Sequence, residues 1–295
     1  MKRTKGEKIF NIFNIILMIL LCIITVYPYI NQMAVSFNEG KDTMLGGITI
    51  FPRVFTLANY SAVFNNPDFI NAAVISVSKL ILHTVLAVGI VFLAAYALTR
   101  KGLPAKRGFT LYLMIPAYVT AGVIPTYILY RYLGLIDNYW VYVLPACFTF
   151  YNMVIMRSFL QELPASIDES AEIDGANEFQ VMYKITFPLS LPVLATITLW
   201  VAVEAWNEYN LTLMYVTNRK LYTLSYLMMQ IVKESELVQQ MAMQASMGNE
   251  TASAAPTPDS VKAATLIVTT IPIILTYPFL QKYFVKGVTV GAVKG

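Results

Sequence analysis

Long apolar runs broken by short polar segments set the pattern of this chain. A transmembrane helix needs about 20 mostly apolar residues, and six stretches reach or approach that length: 10–29, 71–98, 109–130, 139–155, 189–206 and 263–280. Glu204 truncates the fifth, yet Pro188 just ahead of it suits the first turn of a helix. The stretch 211–231 is apolar in places, but Asn218, Arg219 and Lys220 interrupt it, which places it outside the bilayer core. Six crossings leave connections at 30–70, 131–138 and 207–262 on one side and at 99–108 and 156–188 on the other. Residues 248–260, rich in Ser, Ala, Thr and Pro, read as a flexible loop tip.

Charge orients these elements. Basic residues concentrate on the cytoplasmic side of membrane proteins, and the side holding the termini carries Lys2, Arg3, Lys5, Lys8, Arg100, Lys101, Lys106, Arg107, Arg157, Lys184, Lys282, Lys286 and Lys294. Both termini are therefore assigned to the cytoplasm. Residues 1–9 form a cytoplasmic N-terminus and 10–295 a single transmembrane domain. The first apolar run is followed by Val26, Tyr27, Pro28 and Tyr29, too bulky for a signal-peptide cleavage site, so it reads as a retained anchor.

Composition narrows the class. Hydrophobic residues make up 57% of the chain and charged ones 13%, against about 25% charged in soluble domains. That excludes a water-facing exterior over most of the surface, and also intrinsic disorder, which needs low hydrophobicity and high net charge. The net charge of +4 is spread between apolar runs rather than gathered in a patch, so no nucleic acid partner is expected. Cys22 and Cys147 both sit inside apolar runs and read as packing residues rather than a disulfide or metal site.

The 156–188 connection is the exception to the scarcity of charge, with five carboxylates between Asp168 and Glu178. Pro164 ends the preceding element, Ser166 and Glu169 have the S-x-x-E spacing of a capping box, and Gly175 can take the positive φ that stops a helix. The short helix so defined places Ile167, Ala171, Asp174 and Gly175 near one face, where small residues allow close approach of another protein. A second helix starts at Asn177, with Gln180 three residues on as partner for the cap, and carries Phe179, Met182 and Tyr183 on an apolar side. An amphipathic helix lying on lipid favours basic residues on its polar face; these are acidic, which suits docking onto a protein.

Glu169-Ser170-Ala171, Gly175, Ile185 and Phe187-Pro188 stand at the spacing of the EAA-x3-G-x9-I-x-LP signature of ABC importer permeases, with Ser170 for alanine and Phe187 for leucine as conservative departures. Glu172-Ile173-Asp174-Gly175-Ala176, Trp206-Asn207-Glu208, the terminal Gln281-Lys282-Tyr283-Phe284 and Gly291-Ala292-Val293-Lys294-Gly295 extend the match. The chain resembles the MalG-like carbohydrate permeases, and within them the group handling complex or acidic oligosaccharides. The resemblance implies an all-α integral membrane protein with six transmembrane helices of the type I importer fold. Its cytoplasmic coupling helix would present Glu169, Ser170, Ala171, Asp174, Gly175 and Ala176 to a dimeric ABC ATPase. It further implies a second permease subunit in a heterodimer, an extracytoplasmic solute-binding protein, and ATP with Mg on the partner ATPase. This chain has no G-x-x-x-x-G-K-[ST] phosphate loop and is expected to bind no cofactor or metal and to catalyse no reaction of its own.

Two groups of residues could face a sugar. Trp206, Asn207, Glu208, Tyr209 and Asn210 offer aromatic and hydrogen-bonding groups at the outer end of the fifth run, and equally fit an interfacial aromatic belt. Lys79 and His83 share one face of the second run, where a basic site would suit an acidic sugar, but snorkelling of the lysine and ordinary packing of the histidine is the reading the sequence favours. The loop 231–260 could reach the binding protein. A secondary transporter or channel subunit is the competing class, and would place ion or proton relays inside its spans. A membrane enzyme is poorly served by one histidine and no H-E-x-x-H motif.

Overall fold

The computed structural model describes residues 5–100, 102–244 and 257–292; among these the chain is helical, and its only strand-like feature is one isolated bridge between Asn38 and Phe55. The main helices are α1 (Lys5–Ser36), α2 (Pro67–Thr99), α3 (Lys106–Tyr118), α4 (Val123–Tyr132), α5 (Phe150–Glu162), α6 (Ala165–Ile173), α7 (Leu191–Asn207), α8 (Leu224–Gln244) and α9 (Pro258–Ala292), with shorter helical turns between them. Lys2, Arg3, Lys101 and Lys294 of the orientation pattern, residues 248–256 of the loop tip, and 293–295 of the terminal motif lie outside the described residues. The chain divides into two units, residues 1–70 with 227–271 and residues 71–226 with 272–295.

In the first unit, the 32 residues of α1 span about 48 Å at 1.5 Å per residue, and none of its apolar stretch is buried within the chain. A buried asparagine then orders the connection after it. Asn38 Nδ2 donates to Asp42 Oδ2 (2.9 Å) and Thr43 Oγ1 (3.1 Å), while its Oδ1 accepts from the backbone of Arg53 (2.8 Å) and Val54 (2.9 Å). Arg53 closes the loop by pairing with Asp42 at 2.9 Å. The start of α9 is fixed to the same unit by Ser260 Oγ donating to Asn59 Oδ1 at 2.8 Å.

The second unit is built on α2, whose Val91, Phe92 and Ala95 pack with Met153 and Met156 of α5 and Ile197 and Val201 of α7. These apolar side chains, from Ala95 up to Phe92, are buried together where the three helices meet, and their removal from water stabilises the unit.

The expected six continuous spans are not what the chain forms. Among the described residues, three helices are long and apolar enough to cross a membrane unbroken, at Gly6–Ser36, Pro67–Thr99 and Pro258–Leu275, and two bent pairs raise the number to five. The predicted 109–130 run is α3 and α4, bent by 114°. Pro116 removes a backbone donor near the end of α3, and Gly122 at φ +83° turns the chain before α4. The predicted 139–155 span is a correction of type: Tyr139–Tyr142 is a 3-10 turn capped by Asn138, Ala146 takes a left-handed φ of +58° beside Pro145, and only from Phe150 does α5 begin, running on to Glu162. Apolar residues here line the interior of a folded segment rather than a span, as buried Val141, Tyr142 and Val143 show. The 189–206 run is α7 preceded at 75° by the segment Glu178–Leu189. The 207–262 connection holds helix rather than open loop over Asn210–Tyr215 and throughout α8, and the described parts of the 231–260 segment are the continuation of α8 to Gln244 and the start of α9 from Pro258.

Candidate functional site

The acidic segment folds as a two-armed knob. Its first arm, α6, starts at Ala165, with Ile167 N–H already donating to Pro164 O at 3.1 Å. Ser166 is thus inside the first turn rather than capping it, and its carbonyl accepts from Ser170 Oγ at 2.7 Å. The expected Ser166–Glu169 capping box is therefore not formed. Gly175 sits at φ +78°, and the arm ends with Asp174 N–H donating to Ser170 O (3.0 Å) and Ala176 N–H to Ala171 O (2.9 Å), the six-to-one closure that a left-handed glycine permits. The second arm opens with the capping box read from sequence: Asn177 Oδ1 accepts from Gln180 N–H, and Gln180 Oε1 from Asn177 N–H, both at 2.9 Å. A wide turn over Val181–Thr186 follows, and Phe187 packs edge-on against Phe92 of α2 with ring centroids 5.3 Å apart.

Glu169, Ser170, Asp174 and Gly175 are exposed on this knob and Ala176 is half-buried. Ala171 is only 6% exposed. Its small side chain faces its own chain, which corrects the expectation that it forms part of a partner-facing surface. Ile173, Phe179 and Tyr183 are instead the large apolar side chains left exposed around Gly175, a surface that only a partner would dry. Met182 turns inward to the core.

The residue that ties the knob to the helices is Arg100, counted in the sequence only as a basic residue of the 99–108 turn. It follows directly after α2. Its Nη1 donates to Asp168 Oδ2 of α6 at 2.5 Å, and its Nε stands 3.3 Å from Glu178 Oε2 of the second arm. Its guanidinium lies over the ring of Tyr96, 4.1 Å from the centroid, and Nη2 donates to the Tyr96 hydroxyl. That hydroxyl donates onward to Glu178 Oε2 at 3.0 Å. An open cavity of about 1080 Å³ adjoins the cluster, lined by Tyr96, Arg100, Asp168, Glu169, Glu178 and Phe179 among others.

The second group lies deeper. Lys79 of α2, 2% exposed, does not snorkel. Its Nζ donates to Glu208 O at 2.9 Å, stands 3.8 Å from Glu208 Oε2, and lies 5.2 Å from the centroid of the Tyr142 ring. Glu208 Oε1 accepts from Leu211 N–H at 2.8 Å, while Oε2 is buried without a hydrogen-bond donor. His83 places Nδ1 3.0 Å from Val143 O. Lys79, His83, Tyr142, Glu204 and Glu208 line one enclosed space of about 60 Å³. The remaining predicted residues separate: Trp206 is buried, Asn207 Nδ2 bonds back to Val203 O of its own helix at 3.0 Å, and Tyr209 and Asn210 are exposed.

Four likenesses bear on this arrangement. The family model described as the binding-protein-dependent transport system inner membrane component matches residues 87–290. The chain is 32% identical over 289 residues to the polygalacturonan/rhamnogalacturonan transport system permease protein YtcP of Bacillus subtilis (strain 168), covering 98% of this chain and 99% of that one. It is 33% identical over 295 residues to the protein LplC of the same strain, covering 100% and 98%. Among solved structures, a chain of a bacterial ABC transporter involved in the import of the acidic polysaccharide alginate superposes with a TM-score of 0.84 at 26% identity, covering 96% of this chain and 99% of that chain.

Proposed function

The chain belongs to the family of binding-protein-dependent transport system inner membrane components, and on that premise we propose that it is one of two permease subunits in an ATP-driven importer of acidic oligosaccharides. In this reading the termini and the knob face the cytoplasm, the knob seats in a separate ABC ATPase that binds ATP and Mg, and an extracytoplasmic binding protein delivers the sugar to a pathway shared with a sister permease. The observation that carries the reading is the knob itself. Two capped arms meet at a left-handed glycine and present Glu169 and Asp174 beside exposed Ile173, Phe179 and Tyr183. Carboxylates beside exposed apolar groups are a binding surface for a basic protein cleft.

The substrate class is supported by its likeness to a polygalacturonan/rhamnogalacturonan permease and to a transporter that imports the acidic polysaccharide alginate. Within the chain, the space lined by Lys79, His83 and Glu208 is the part of the pathway that reads charge and hydroxyl groups. Driven by closure of the ATPase dimer, the knob transmits a two-state rearrangement to the helices. Reconstituted complexes carrying Glu169→Lys or Gly175→Leu are expected to assemble in the membrane but to lose at least tenfold in ATP-driven uptake. Wild-type uptake in both would defeat the docking assignment.

A further inference from the structure

Residues 174–177 join the two arms of the knob along the chain, and at Gly175, with φ +78°, no atom lies within 4 Å of an added Cβ. A hinge so unencumbered would let α6 swing without moving the second arm. The second arm is held to α2 by apolar packing of Phe187 on Phe92. The link from the α2 end to α6 is ionic: Arg100 bonds Asp168 at 2.5 Å on one arm and faces Glu178 at 3.3 Å on the other. Tyr96, one turn earlier on α2, holds the guanidinium from below and bonds Glu178 as well. Asp168 lies 68 residues and Glu178 82 residues from their α2 partners.

We infer that Arg100 is a positioning residue for energy coupling: it bridges both arms to the end of α2, so that a push on the knob moves α2 rather than bending the knob at Gly175. The inference rests on the proposed ATPase docking and adds to it the path by which docking becomes helix movement. Arginine is suited to this because its planar guanidinium can serve two carboxylates and stack on a ring at once, which a lysine ammonium cannot.

The test uses the whole complex of permeases, ATPase and binding protein in proteoliposomes, measuring uptake and ATP hydrolysis together. In Arg100→Gln, ATP hydrolysis stays within twofold of wild type while sugar moved per ATP falls at least tenfold. The exchange Arg100→Asp with Asp168→Arg recovers at least half of the wild-type ratio, since it restores that arm's ion pair. Arg100→Lys gives an intermediate ratio. A nitroxide on Ser170, in a background with Cys22 and Cys147 replaced, is more mobile in Arg100→Gln than in the parent. An unchanged ratio in Arg100→Gln overturns the inference, as does failure of both Arg100→Gln and Arg100→Lys to assemble, which would make Arg100 a folding residue. Absence of any ATPase from the wild-type complex would instead overturn the docking reading.

Discussion

Replacing Lys79 by methionine removes a cation buried to 2% exposure while keeping the volume of its stem. The change deletes the 2.9 Å bond to Glu208 O and leaves Oε2 of Glu208, already without a donor, with no positive charge at 3.8 Å. A hydrogen bond from a charged group contributes about 1.5–3 kcal/mol, and breaking a buried pair costs about 3–5 kcal/mol. Glu208 retains its bond from Leu211 N–H and 23% side-chain exposure, so the cost falls below that of a fully buried pair, at about 2–3 kcal/mol. For a unit of this size that is a fall in the unfolding midpoint of about 4–12 °C, read by tryptophan fluorescence of the purified complex in detergent. Lys79→Met with Glu208→Gln removes both charges, and neutral replacement of a buried pair is close to energetically even. The double variant therefore recovers most of the loss. A midpoint in Lys79→Met within 1 °C of wild type, or a double variant as unstable as the single one, would refute the buried pair as a stabilising contact.

Three further outcomes follow from the geometry. Asn177→Ala deletes the capping-box bond from Gln180 N–H to Asn177 Oδ1 and costs the second arm about 1 kcal/mol, seen as faster amide hydrogen exchange over 178–189. Gly175→Ala meets no neighbouring atom, so its cost is the left-handed backbone alone, about 1–2 kcal/mol, and Gly175→Asn loses less; thermal midpoints of the two variants check the order. Asp137, in the connection before the Tyr139 turn, accepts from Thr217 Oγ1 (2.6 Å) and from the backbone N–H of Thr217 (2.5 Å) and Asn218 (2.9 Å), which holds its carboxyl below the ordinary 3.8. A depressed carboxylate stabilises the folded state fully above its unfolded value and loses that contribution as pH falls through the folded one. Wild type therefore destabilises below about pH 4 through this group, and Asp137→Asn shows a flatter acid limb in a pH series of thermal midpoints.

What could be read from the chain was local. Gly175, the Asn177–Gln180 box and the apolar runs of α1, α2 and α9 are set by residues within one or two turns of each other, so their chemistry is visible in order along the sequence. The break at 119–122 and the 3-10 turn at Tyr139–Tyr142 were not, although Gly122, Pro145 and Asn138 were there to signal them: apolar content outweighed turn chemistry, and an apolar run serves a buried turn as well as a span. The pairings that build the two sites are long-range. Lys79 and Glu208 are 129 residues apart, and Arg100 meets Asp168 across 68. No spacing rule connects such positions. A charge at the end of an unbroken apolar helix, as Arg100 is, was the one available sign that a carboxylate partner stood nearby. Ala171 shows the reverse error, since a small residue on a face allows close packing against its own chain as readily as against a partner.

The central claim is that this permease moves sugar with energy delivered through its knob by a separate ATPase. Proteoliposomes holding the complete complex, with binding protein and an acidic oligosaccharide outside, test it when ATP is supplied inside with ion gradients collapsed. The account predicts accumulation that requires ATP and disappears with Glu169→Lys. Uptake that proceeds without ATP and follows an imposed proton or sodium gradient would contradict it.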